Sequence, residues 1–110
     1  MLLALDISTS CTGYCLFDED KLVDIGSISL SKHKGLFEKA SRVKEVITEL
    51  KYLYSITHVA VEENLQAFRP GLSSAKTLMT LAQFNGVVRW ICHEMLKVPV
   101  EAINVNTARK

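Results

Sequence analysis

The chain has 110 residues, 48% of them apolar, with only two prolines and five glycines. That is enough for one small domain with an ordinary core, and it lacks the composition of a disordered segment. Thirteen basic against twelve acidic side chains leave a net charge of +1, so no global field announces a polyanionic partner and any nucleic-acid contact must come from local patches. No run approaches the roughly 20 apolar residues that a membrane span needs. The apolar start is interrupted by Asp6 before it reaches the length of a signal-peptide core, so a cytoplasmic protein without a membrane partner is expected.

The first pattern is Leu2-Leu3-Ala4-Leu5-Asp6, then the hydroxylated Ser8-Thr9-Ser10, then Thr12-Gly13-Tyr14-Cys15-Leu16-Phe17. Two apolar runs around a polar, glycine-bearing stretch predict a hairpin. Asp6 is the only acid before Asp18. A carboxylate between Leu5 and Ile7 is costly to hold ionised without compensation, and a divalent cation is one compensator. Capping by nearby backbone N–H groups is the alternative. Cys11, Cys15 and Cys92 match neither a zinc site nor a disulfide framework; reduced thiols are expected.

Asp18 to Lys21 reads as a polar turn, and Leu22 to Leu30 as a third strand that alternates apolar and polar residues from Ile25 onward. Leu36, Phe37, Ala40, Val43, Val46, Ile47, Leu50, Leu53 and Tyr54 recur at three- and four-residue steps, predicting an amphipathic helix of about five turns. His58 to Glu62 is a short apolar strand that ends, like the first, in a carboxylate. The loop from Gln66 to Leu72 precedes a long helix, capped by Ser73 or Ser74 and running to about Leu96. Its expected core stripe is Ala75, Leu78, Met79, Ala82, Gly86, Val87, Trp90, Ile91 and Met95. Burial of Met79 and Trp90 would make them core, whereas exposure would favour dimerisation. Pro99 to Val105 is a fifth strand, and Asn106 is placed to cap a further helix.

This order predicts an α/β fold: a mixed five-stranded sheet, a three-strand meander then two parallel strands, with helices packed on it. Such sheets carry ligands beyond the carboxyl ends of neighbouring parallel strands. Asp6 and Glu62 sit at such ends. If their strands are adjacent through a right-handed crossover, the carboxylates converge on one cation.

Leu5-Asp6-Ile7-Ser8 with Thr12-Gly13-Tyr14, Val59-Ala60-Val61-Glu62, Ser74-Ala75-Lys76 with Ala82-Gln83 and Gly86, and Val98-Pro99-Val100 with Lys110 together resemble the RuvC-like Holliday-junction resolvases of the ribonuclease H-like superfamily. The resemblance implies a ribonuclease H-like fold over residues 1–110 and a structure-selective, metal-dependent DNA endonuclease acting on branched DNA as a homodimer. It makes Asp6 and Glu62 metal ligands of the nuclease site and Lys110 a contact to the cleaved strand. The implied cofactor is Mg2+ or Mn2+, with two ions roughly 3.5–4 Å apart supporting an in-line displacement. Glu63 competes with Glu62, but successive strand residues alternate faces and only one of them can face Asp6.

Arg69 and Lys76 flank the loop after Glu62 and are placed to neutralise phosphates. Phe68 offers a wedge or stacking surface where family members carry an aromatic nearer the glutamate; here that position is Leu65. The family completes its site with two further acids on a later helix, and nothing after Glu101 is acidic. The chain therefore reads as the N-terminal portion of a longer resolvase, or a shortened relative, inactive alone. Two other readings remain: an actin-like or sugar-kinase-like ATPase lobe, and a non-catalytic dimerising, nucleic-acid-binding module.

Overall fold

A computed structural model describes residues 1–63 and 75–104. Five strands, β1 (Leu2–Asp6), β2 (Cys11–Asp18), β3 (Lys21–Ser29), β4 (His58–Glu63) and β5 (Val100–Asn104), and two helices, α1 (Gly35–Leu53) and α2 (Ala75–Leu96), follow in the order β1-β2-β3-α1-β4-α2-β5. They form one sheet with strand order β3-β2-β1-β4-β5. β1, β2 and β3 pair antiparallel, and β4 joins β1 and β5 in parallel. The expected meander and parallel pair are both present.

The alternation of side chains along each strand sorts them between two faces. Leu3, Leu5, Leu16, Ile28, Val59 and Val61 are buried with Val43, Ile47 and Leu50 of α1 and Phe84, Val88, Ile91 and Cys92 of α2. Each such side chain, fully buried, contributes about 1.5–3 kcal/mol. No described element covers the opposite face, where Ile25 is 65% exposed. Among the described residues the sheet is thus clad on one side only, by both helices.

The β2–β3 turn uses Glu19 at a φ of 57°, an unusual conformation for a residue other than glycine. At the far end of β3's helix connection, the Tyr54 hydroxyl donates to Asp24 Oδ2 at 3.0 Å. That carboxylate acceptor holds the phenol pKa above its ordinary value. The bond ties the end of α1 to the sheet edge. The N-terminal ammonium donates to Ser55 O at 2.7 Å, and Thr57 N donates to Met1 O at 2.8 Å, which fixes where β4 begins against β1.

Two expectations about the helices are corrected. On α1, Phe37 and Leu53 are 78% and 68% exposed, because they flank the buried stripe of Ala40, Val43, Val46, Ile47 and Leu50. On α2 the buried residues are Phe84, Asn85, Val88, Ile91 and Cys92, and the predicted core residues Met79 and Trp90 are 63% and 61% exposed. Ile91 is buried as expected, and Val87 and Met95 pack half-buried against the core; the helix is apolar on two nearly opposite sides, and the expected stripe mixed the two.

Candidate active site

The site grows from register. In the parallel β1–β4 pair Asp6 stands directly opposite Glu62, and across β1–β2 it stands opposite Gly13. The row continues to Ile103 on β5 beyond Glu62 and to Ser27 on β3 beyond Gly13. Partners in a register lie on one face, with strands about 4.8 Å apart, so the two carboxylates project side by side from the uncovered face. Like charges directly opposite destabilise a sheet unless something neutralises them.

Asp6 is exposed and Glu62 half-buried. Burial therefore does not by itself press Asp6 for a counter-charge, contrary to the expectation drawn from its apolar neighbours.

Small residues hollow the ground around the pair. Ala4, Gly13, Cys15 and Ala60 line an open pocket of about 450 Å³ together with Asp6, Glu62, Ile25 and Ile103. Asp6 thus stands opposite a residue with no side chain, and a Cβ added at Gly13 would meet nothing within 4 Å. That leaves room beside the carboxylate for a ligand. The turn out of β1 is held by Thr12, which is fully buried: its hydroxyl donates to Ser8 O at 3.1 Å and accepts from Ser8 N at 3.4 Å. This two-way clamp fixes the backbone just after Asp6. Neither Gly13 nor Thr12 stood out as a site residue in the sequence, although the Ser/Thr run was a signal for such local side-chain-to-backbone bonding.

Lys76 lies in the first turn of α2 and is exposed. Glu63 follows in the β4–β5 register opposite Asn104. Leu65, Phe68, Arg69, Asn106 and Lys110 lie outside the described residues. All three cysteines are free, Cys11 exposed, Cys15 half-buried and Cys92 buried. Burial pushes the Cys92 thiol from its ordinary 9.0 up to about 12, which makes it inert.

Among the described residues there is no group of three or more His, Cys, Asp or Glu able to hold a metal. Two carboxylates alone nevertheless suit magnesium, a hard cation that keeps several waters and commonly binds through one or two carboxylates and a substrate phosphate. The donor set excludes a soft-metal site, which would call for thiolate or imidazole ligands.

Aligned with solved structures, the chain matches Thermus thermophilus RuvC in complex with a Holliday junction substrate, with a TM-score of 0.78 and 18% identity over 98% of this chain. The fold is that of RuvC. A second RuvC structure from Thermus thermophilus matches with a TM-score of 0.63 and 19% identity over 94% of this chain. The chain spans 66% and 63% of those two RuvC chains. No protein-family model and no curated protein matches the sequence significantly. The RuvC-like architecture is therefore shown by shape alone. No described helix is long and apolar enough to cross a membrane.

Proposed function

We propose that the chain belongs to a metal-dependent endonuclease that cuts branched DNA, a Holliday-junction resolvase, with residues 1–110 as its single ribonuclease H-like domain. The observation that carries this reading is the Asp6–Glu62 pair, side by side at the carboxyl ends of adjacent parallel strands in a fold matched to RuvC. Asp6 and Glu62 anchor Mg2+ or Mn2+ through their carboxylate oxygens. The bound metal supplies a polarised phosphodiester and a more acidic water. Gly13 leaves the space into which the phosphate enters, and the Thr12–Ser8 clamp keeps Asp6 aimed at it. Lys76, Arg69 and Lys110 act as phosphate contacts and Phe68 as a base-stacking surface.

With Asp6 and Glu62 alone the ligand set is incomplete, so the 110 residues are expected to bind junctions, and cleavage would require a longer form that carries further acids. A labelled four-way DNA junction and a linear duplex of the same sequence test this. The reading expects at least tenfold tighter binding of the junction, and magnesium-dependent incision by the longer form that disappears in Asp6→Asn or Glu62→Gln. Equal affinity for both DNAs, or incision surviving both substitutions, contradicts it.

The homodimer is assigned to the outer face of α2. Met79, Gln83, Gly86 and Trp90 run along one line of the helix, and Met79 and Trp90 stand equally far from the point on that line between Gln83 and Gly86. A two-fold axis there sets each Trp90 against the partner's Met79, a favourable sulfur–aromatic contact. A glycine inside a helix costs about 1 kcal/mol relative to alanine, and a Cβ at Gly86 would meet nothing within 4 Å of its own chain. Its use is close approach by a second copy.

The kinase-like alternative predicts nucleotide affinity, which calorimetry with ATP measures directly.

A further inference from the structure

Within a net charge of +1, the fold brings one basic segment to the end of the sheet that carries the two carboxylates. β1, β3 and β4 all run the same way, so their carboxyl ends share one end of the sheet. The acidic turn Asp18–Glu19–Asp20 between β2 and β3 lies at the other end. At the carboxyl end stand Asp6 and Glu62 and, between β3 and α1, the segment Ser31-Lys32-His33-Lys34.

That segment is built against the site. Leu30 N donates to Ser10 O at 2.9 Å, and His33 N closes a turn onto Leu30 O at 3.0 Å. Lys34 N donates to Glu38 Oε2 at 2.6 Å, and Gly35 at a φ of +80° leads into α1. The loop that leaves Asp6, with Ser8 Oγ 3.3 Å from Ser10 Oγ, is thus fastened directly to the basic loop. Lys32 and Lys34 are exposed. The ion pairs among the described residues are Arg42 with Glu45 and Lys97 with Glu94, so both ammonium groups remain available. β3 is two strands from β1, which sets the base of the loop about 10 Å from the carboxylates. On the β4 side, Lys76 opens α2 at the same end.

We propose that Lys32 and Lys34 bind the phosphodiester backbone of the nucleic acid on the β3 side of the Asp6–Glu62 pair. This inference rests on the nuclease reading above and adds to it the path of the strand. A carboxylate pair repels a bare phosphate chain, and lysines at the same end of the sheet would hold the phosphates that flank it. Ser8 and Ser10 offer hydroxyls between the two. The contacts are to phosphate, so they position the strand and carry no base preference.

Affinity for a labelled four-way DNA junction, measured between about 50 and 200 mM salt, tests this, because each phosphate contact adds about 0.9 to the slope of log affinity against log salt. The double variant Lys32→Ala/Lys34→Ala is expected to lose about 1.8 from that slope. Lys32→Arg/Lys34→Arg should keep it. Lys51→Ala, in the last turn of α1 at the opposite end, should behave as wild type. An unchanged slope in the alanine double variant, or an equal loss in Lys51→Ala, overturns the proposal. Absence of any salt-dependent junction binding by the wild-type chain overturns the nuclease reading, and this inference with it.

Discussion

Gly13 shows how one residue on the neighbouring strand shapes what Asp6 can do. Asp6 faces Gly13 in the β1–β2 register, and open space lies where a side chain would be. Gly13→Val should therefore fold well, within about 1 kcal/mol of wild type since strand propensities span about that range, while crowding the carboxylate. The expected result is normal urea unfolding with at least tenfold weaker Mn2+ binding; unchanged binding would show that the space is unused. Cys92 makes a separate prediction. Its thiol pKa rises from 9.0 to about 12 on folding, so above pH 9 the unfolded chain has released a proton that the folded chain keeps. Stability should then fall by about 1.4 kcal/mol per pH unit until the folded pKa is reached. Cys92→Ala should remove that part of the slope in alkaline unfolding curves, whereas the contribution of Tyr54, raised by its bond to Asp24, is common to both proteins. Equal slopes in the two proteins would place the thiol outside the core.

α2 marks the limit of reading elements from sequence. Its length and C-terminal end were legible, because apolar residues recur without a break up to Leu96. Its orientation was not. Phe84, Val88, Ile91 and Cys92 face the core, while Met79 and Trp90 form a second apolar line outside. Periodicity cannot choose between two stripes on one helix; only the partner surface can, and that belongs to the fold. The β-strands were easier. β1, β4 and β5 are short apolar runs between polar breaks, and the two strands ending in acids suggested their own pairing. The exposed α2 line predicts that the chain is a dimer in sedimentation or light scattering. Trp90→Ala and Gly86→Leu should each shift it to monomer without lowering its unfolding midpoint as measured at low concentration. A wild-type monomer at tens of micromolar, or a dimer untouched by both changes, would contradict the two-fold contact.

At the scale of the molecule, the strand order decides which charged clusters become neighbours. The turn of Asp18, Glu19 and Asp20 sits at one end of the sheet, and Lys32, Lys34 and Lys76 share the other end with two carboxylates. Composition alone could not show this, since it averages over positions that only the strand order separates. What sequence did make legible was the convergence of Asp6 and Glu62, which needs only that two acid-ending strands be parallel neighbours. The exposed state of Asp6 and the position of Gly13 directly opposite it became visible only in the assembled fold.

The central claim is that these two carboxylates hold a divalent metal at the sheet end. Manganous ion, added in small proportion to the 15N-labelled chain, broadens amide resonances close to where it binds. The account predicts that amides of Asp6, Ile7, Gly13 and Glu62 broaden first, and that Asp6→Asn with Glu62→Gln abolishes the effect. Broadening centred instead on Asp18, Glu19 and Asp20, or persisting around Gly13 in the double variant, would contradict it.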